Sequence, residues 1–131
     1  MHKIGFALLL ATALFLGACG RSGQSSAALK ALDTDNDGTI DLAEAQAGGA
    51  KIFAKLNTDN DKTLEAKELE GRLDAAAIKA ADPDNDGTID AKEYEALVAE
   101  KFKAADPDND GTIDKKELHS PAGKELLKLI D

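Results

Sequence analysis

Four twelve-residue segments of this chain repeat one pattern, and that repetition limits the possible folds more than any other feature. Asp33-Thr34-Asp35-Asn36-Asp37-Gly38-Thr39-Ile40-Asp41-Leu42-Ala43-Glu44 (loop 1) reads D-x-[DN]-x-[DN]-G-x5-E throughout. So do Asp82-Pro83-Asp84-Asn85-Asp86-Gly87-Thr88-Ile89-Asp90-Ala91-Lys92-Glu93 (loop 3) and Asp106-Pro107-Asp108-Asn109-Asp110-Gly111-Thr112-Ile113-Asp114-Lys115-Lys116-Glu117 (loop 4). Asn57-Thr58-Asp59-Asn60-Asp61-Lys62-Thr63-Leu64-Glu65-Ala66-Lys67-Glu68 (loop 2) keeps the frame with two departures, Asn57 at position 1 and Lys62 at position 6. The loops start at 33, 57, 82 and 106, and together they hold 19 of the 25 acidic residues. Acids scattered over a solvated surface do not cluster in this way.

The motif resembles that of the EF-hand superfamily over nearly all of the chain that follows residue 26. The resemblance implies an all-α fold of four loop–helix repeats and a function in calcium binding. Calcium is a hard cation that takes six to eight oxygens at about 2.3–2.6 Å. Positions 1, 3 and 5 of a tightly curled loop turn their oxygens toward one point: Asp33, Asp35 and Asp37; Asn57, Asp59 and Asp61; Asp82, Asp84 and Asp86; Asp106, Asp108 and Asp110. Position 7 is expected to offer a backbone carbonyl, from Thr39, Thr63, Thr88 or Thr112. Position 9 acts directly or through water, from Asp41, Glu65, Asp90 or Asp114. Glu44, Glu68, Glu93 and Glu117 at position 12 close the sphere with two oxygens each. Glycine at position 6 permits the sharp turn. Acidic, asparagine-containing turns that bind nothing specifically are the rival account. Against it stand four aliphatics, Ile40, Leu64, Ile89 and Ile113, all at position 8. They face away from a metal and suit a short strand that pairs one loop with another.

Loop 2 is the weakest. Asn57 supplies a neutral oxygen, and Lys62 puts a cation near the metal in a turn where a non-glycine residue costs ~1–2 kcal/mol. Three strong calcium sites and a weaker fourth are expected, although a loop 2 retained only for packing is the alternative.

Only 12 or 13 residues separate one loop's glutamate from the next loop's start. That is too few for two helices and a turn. Lys92 to Ala105 therefore reads as one helix about 21 Å long, shared by loops 3 and 4. Leu42 to Leu56 is its counterpart between loops 1 and 2, weakened at Gly48-Gly49. Gly71-Arg72-Leu73-Asp74 reads as a C-cap followed by an N-cap. Loops 2 and 3 should then pair at one end of a compact domain, and loops 1 and 4 at the other. Leu29, Phe53, Ile78 and Phe102, four residues before each loop, mark the buried faces of entering helices, and Leu69, Tyr94 and Leu118 those of three exiting helices. Ser120-Pro121 caps a last helix, 122–130, whose Leu126, Leu127, Leu129 and Ile130 seal the core. His119 reads as a solvated residue. Pro83 and Pro107, at position 2, give no ligand and stiffen their loops.

At the amino end, Met1-His2-Lys3 precedes the apolar run from Ile4 to Leu16, 13 residues long and short of the ~20 needed to span a bilayer. That length fits a secretory signal over residues 1–18. Leu16-Gly17-Ala18-Cys19 resembles the lipobox of bacterial lipoproteins, which implies lipidation of Cys19, a flexible tether over 19–26 and the calcium-loop domain over 27–131. An ordinary signal cut after Ala18, leaving a free thiol, is the alternative. Export and lipid anchoring to a bacterial membrane, facing the periplasm or the exterior, follow as expectations.

The formal charge of −9 excludes non-specific affinity for nucleic acid. No nucleophile–base pair or phosphate loop is present, so an enzyme is not expected. A calcium buffer or calcium-stabilised structural protein of the envelope comes first. A sensor that engages a protein partner when loaded comes second, weakened because Met1 is the sole methionine. An assembly module similar to dockerins comes third, since dockerins have two loops.

Overall fold

The computed structural model describes residues 22–131. The expected signal, residues 1–18, and Cys19 lie outside the described residues. The elements in order are α1 (Ser22–Leu32), β1 (Ile40–Asp41), α2 (Leu42–Leu56), β2 (Thr63–Glu65), α3 (Ala75–Ala81), β3 (Thr88–Asp90), α4 (Ala91–Ala105), β4 (Thr112–Ile113), α5 (Lys115–Leu118) and α6 (Pro121–Ile130). The fold is thus mostly helical, with two short antiparallel ribbons. None of the described helices is long and apolar enough to cross a membrane.

The short loop spacing has the expected consequence. α2 runs unbroken from loop 1 to loop 2, and α4 from loop 3 to loop 4. Two loops joined by one continuous helix lie at its opposite ends and cannot pair with each other. β1 therefore pairs with β4, placing Ile40 opposite Ile113, and β2 pairs with β3, placing Leu64 opposite Ile89. All four position-8 side chains have no solvent exposure.

Between the two ends, α2, α4 and α6 pack on one another around a single apolar core. Leu126, Leu129 and Ile130 of α6 are buried there, with Leu127 packed at the edge. Tyr94 of α4 donates its hydroxyl to the Leu129 carbonyl at 2.8 Å and meets Phe53 of α2 edge-on, with ring centroids 5.6 Å apart. Burial is the main cause that raises the Tyr94 hydroxyl to a pKa of about 12, outweighing the nearby Arg72 charge. Arg72 donates from Nη1 to the carbonyls of Lys128 (2.6 Å) and Asp131 (3.1 Å), so a turn after loop 2 holds the carboxyl end of α6.

Several details differ from the sequence expectation. Gly48 and Gly49 do not interrupt α2, whatever their entropic cost. Both are buried, and a Cβ on Gly48 would lie 2.7 Å from Leu32 Cδ2 and 2.8 Å from the Ile130 carbonyl. On Gly49 it would lie 2.9 Å from Val98 Cγ2, so these glycines let α1, α4 and α6 approach α2. Leu69 is buried but starts no exiting helix: residues 66–72 form hydrogen-bonded turns with Gly71 at φ +82°, and Asp74 is the N-cap of α3. Leu118 ends a helix of four residues, because Ser120 and Pro121 begin α6 at once. His119 is half-buried, and its Nδ1 meets the Lys115 carbonyl, which closes α5. Residues 22–26, read as tether, are the first turns of α1.

Among the described glycines, Gly123 leaves the least room for a side chain. A Cβ there would sit 2.6 Å from Leu118 Cα and 2.7 Å from its carbonyl carbon, while also striking the Glu117 carbonyl. Backbone cannot yield as a side chain can. Gly123→Ala is expected to cost about 3 kcal/mol, read as a lower urea midpoint at unchanged slope.

Candidate metal centres

Each loop converges on a small acidic cluster. Carboxylate oxygens of Asp33, Asp35 and Glu44 lie within 4.8 Å of one another in loop 1, as do those of Asp82, Asp84 and Glu93 in loop 3. Loop 4 gathers Asp106, Asp108 and Asp110, and loop 2 gathers Asp59, Asp61 and Glu65. Asp82, Asp106 and Glu44 are buried although charged.

Backbone amides hold the clusters in place. In loop 1, Asp33 accepts the N–H groups of Asp37 (3.1 Å) and Gly38 (3.0 Å). Loops 3 and 4 repeat this at Asp82, from Asp86 and Gly87, and at Asp106, from Asp110 and Gly111. The position-5 carboxylates Asp37, Asp86 and Asp110 accept both the N–H and the hydroxyl of the position-7 threonines Thr39, Thr88 and Thr112. Asp61 accepts the Thr63 N–H at 2.9 Å. Position 9 closes the helix instead of joining the cluster in three loops. Asp41, Asp90 and Asp114 each form a capping box with the glutamate three residues on; Glu44 and Glu93 thereby join their clusters, whereas Glu117 stands outside the loop 4 cluster. In loop 2, Glu65 reaches into the cluster and Glu68 stands outside it.

Loop 2 also differs at both positions that its sequence singles out. Lys62 adopts φ +73°, the left-handed turn that glycine makes in the other loops. Asn57 Oδ1 is buried and has no hydrogen-bond partner among the described residues. An orphaned buried acceptor is costly, and a cation in the loop would satisfy it. Position 4 carries a signal that the motif reading passed over. Asn36, Asn60, Asn85 and Asn109 all have φ between +56° and +61°, and asparagine is the non-glycine residue that best tolerates this region.

Neighbouring carboxylates shift several of the cluster groups. At Asp35, Asp84 and Asp108, a backbone N–H favours the anion, yet desolvation and neighbouring carboxylates outweigh it and raise the pKa. Glu93 and Glu117 are raised in the same way, despite the N–H of Asp90 or Asp114. Glu68 is lowered, first by the Glu65 N–H and then, against desolvation, by the Thr58 donors; the Thr63 N–H lowers Asp61. The donor set is carboxylate and amide oxygen, with no His or Cys in any of the four clusters, which suits a hard divalent cation.

A family model for the EF hand matches residues 26–46, 73–98 and 99–120, just over half of the chain. The chain belongs to the EF-hand family. The matches cover loops 1, 3 and 4 and pass over loop 2, the segment that departs from the motif. No curated protein matches the chain. The acidic clusters in EF-hand loops make this a calcium-binding protein, and in loops 1, 3 and 4 the gathered carboxylates are those of Asp33, Asp35 and Glu44, of Asp82, Asp84 and Glu93, and of Asp106, Asp108 and Asp110.

Proton competition follows from the raised carboxylates. Each holds its proton at a pH above the ordinary 3.8 of an aspartate or 4.5 of a glutamate, and calcium must displace it. Calcium affinity is therefore expected to fall on acidification, earlier in loops 3 and 4 than in loop 2. In the calcium-free chain the same groups contribute stability below the unfolded pKa and lose it as pH rises through the raised folded value. Calorimetry at pH 7 and pH 5, in buffers of different ionisation enthalpy, should show more protons released per calcium at the lower pH.

Proposed function

We propose that this EF-hand protein is a non-catalytic calcium buffer or calcium-stabilised structural protein of the bacterial cell envelope, held to a membrane by lipid on Cys19. The observation that carries the buffer reading is the apolar surface. Among the described residues, Leu42 is the one exposed large hydrophobic side chain, and no methionine occurs in that stretch. A sensor must present an apolar face to its partner when loaded, and such faces in calcium sensors are methionine-rich. The pairing of position-8 residues across both ends ties all four loops into one core, which suits a protein that calcium stiffens. Three calcium ions are held by loops 1, 3 and 4, and a weaker fourth by loop 2 through Asn57, Asp59, Asp61, Thr63, Glu65 and Glu68, the last of which must swing in to close the site.

The sensor reading keeps one supporting observation. A shallow apolar groove of about 290 Å³ lies between α2 and α4, lined by Gly49, Ala50, Phe53, Tyr94 and Val98. Calorimetric calcium titration followed in parallel by a hydrophobic dye separates the two. Three or four sites with a gain of helix and no dye signal support the buffer. Calcium-dependent dye binding favours the sensor. Labelling with a palmitate analogue in a bacterial host, lost on Cys19→Ala, tests the anchor.

A further inference from the structure

We propose that the residue at loop position 2 sets the order in which calcium enters, because threonine latches the closing glutamate in loops 1 and 2 while proline leaves it free in loops 3 and 4. The inference rests on the calcium-binding reading and goes beyond it. Thr34 donates its backbone N–H (2.6 Å) and its hydroxyl (2.9 Å) to one oxygen of Glu44, Oε1. Thr58 does the same to Glu68 Oε1, at 3.0 and 3.1 Å. Pro83 and Pro107 have neither an N–H nor a hydroxyl to give. Glu93 and Glu117 accordingly accept, among the described residues, only the N–H of Asp90 and Asp114, each at 2.9 Å and each on Oε2.

A glutamate that closes a calcium sphere must give both oxygens. In loops 3 and 4 the second oxygen is available at no cost in hydrogen bonds. In loops 1 and 2 the cation must first take Oε1 from the two threonine donors, joined in loop 1 by a longer bond from the Asp35 N–H (3.4 Å), and hydrogen bonds to a carboxylate are among the stronger ones in proteins. The strand pairing gives this division a purpose. β1–β4 joins latched loop 1 to open loop 4, and β2–β3 joins latched loop 2 to open loop 3. Each end of the molecule thus holds one loop that fills first and one that fills second. Proline's stiffening of its loop would favour the same order, so the test must separate the latch from rigidity.

Calcium titration of the whole chain, followed by nuclear magnetic resonance, reads the loops separately through the amides of Gly38, Lys62, Gly87 and Gly111. In the parent protein Gly87 and Gly111 are expected to reach their midpoints before Gly38 and Lys62. Thr34→Val keeps the shape and removes the hydroxyl, and should move the Gly38 midpoint to about three- to tenfold lower calcium. Pro107→Ala removes rigidity alone, whereas Pro107→Thr also adds a latch, so the Gly111 midpoint should rise severalfold more in Pro107→Thr. Amide exchange at Thr34 and Thr58 should be slow without calcium and faster at saturation. Equal midpoints for Pro107→Ala and Pro107→Thr, together with no shift in Thr34→Val, would overturn the latch while leaving calcium binding intact. Absence of any titration would sink the calcium reading and the latch with it.

Discussion

Removing calcium with a chelator is expected to lower the melting temperature by at least about 20 °C and to loosen the helix ends that border the loops. A ligand present at 100 times its dissociation constant stabilises the folded state by about 2.7 kcal/mol per site. Three such sites supply roughly 8 kcal/mol, comparable with the whole stability of a small domain. Each kcal/mol moves the midpoint of a domain this size by about 4 °C or more. Without the ion, oxygens held within 4.8 Å of one another repel, and the raised carboxylates at Asp35, Asp84, Glu93, Asp108 and Glu117 are the mark of that repulsion. The core is not lost outright. Leu126, Leu129, Ile130 and the Tyr94–Leu129 hydrogen bond do not touch the clusters, so α2, α4 and α6 should keep part of their contact. Circular dichroism melts in millimolar calcium and in excess chelator provide the comparison. Midpoints within a few degrees of each other would mean that the loops are ornaments on a self-sufficient core.

What the sequence made legible here was whatever repeats or whatever length forbids. Twelve residues between Glu93 and Asp106 leave no room for two helices, and α4 is one helix of 15 residues. The crossed pairing of loop 1 with loop 4 and of loop 2 with loop 3 follows from the same shortage. Long-range contacts were not legible. Gly48 and Gly49 look like helix breakers in a one-dimensional reading, where their cost is entropic. Their use appears only when Leu32, Val98 and Ile130, from three other elements, close on them. Residues 66–72 carry helix-forming Lys67, Glu68, Leu69 and Glu70, yet Gly71 at positive φ and the Asp74 cap cut the segment into turns. Within the loops, the motif names ligands but is silent about position 2. Thr34 and Pro83 differ there by two hydrogen bonds to the residue that closes the site.

Ile89→Ala is expected to cost about 2–5 kcal/mol and to weaken calcium binding in loops 2 and 3 together. Ile89 has no solvent exposure, and its partner across the ribbon, Leu64, has none either. The β2–β3 ribbon has only three residue pairs, so a cavity at its centre has no neighbouring strand to collapse into it. The functional consequence comes from position. Asp86 and Glu93 lie three residues before and four after Ile89, and Thr88 and Asp90 are its immediate neighbours. A loosened Ile89 therefore releases the Thr88–Asp86 hydrogen bonds and the Asp90–Glu93 capping box at once. Across the ribbon, Thr63 and Glu65 lose their registration against Asp90 and Thr88, which disturbs the cluster containing Asp59, Asp61 and Glu65. Ile89→Val, which keeps the branched shape, should cost only about 0.5–1.5 kcal/mol and leave affinity nearly unchanged. Urea denaturation at saturating calcium gives the stability term, and the midpoints of Gly87 and Lys62 give the binding term. Gly38 and Gly111 belong to the opposite end, where Ile40 meets Ile113. If their midpoints move as far as that of Gly87, rigid α2 and α4 carry the disturbance across the molecule, and the two ends bind as one unit. If they stay fixed while Gly87 and Lys62 shift, each ribbon governs its own pair of loops.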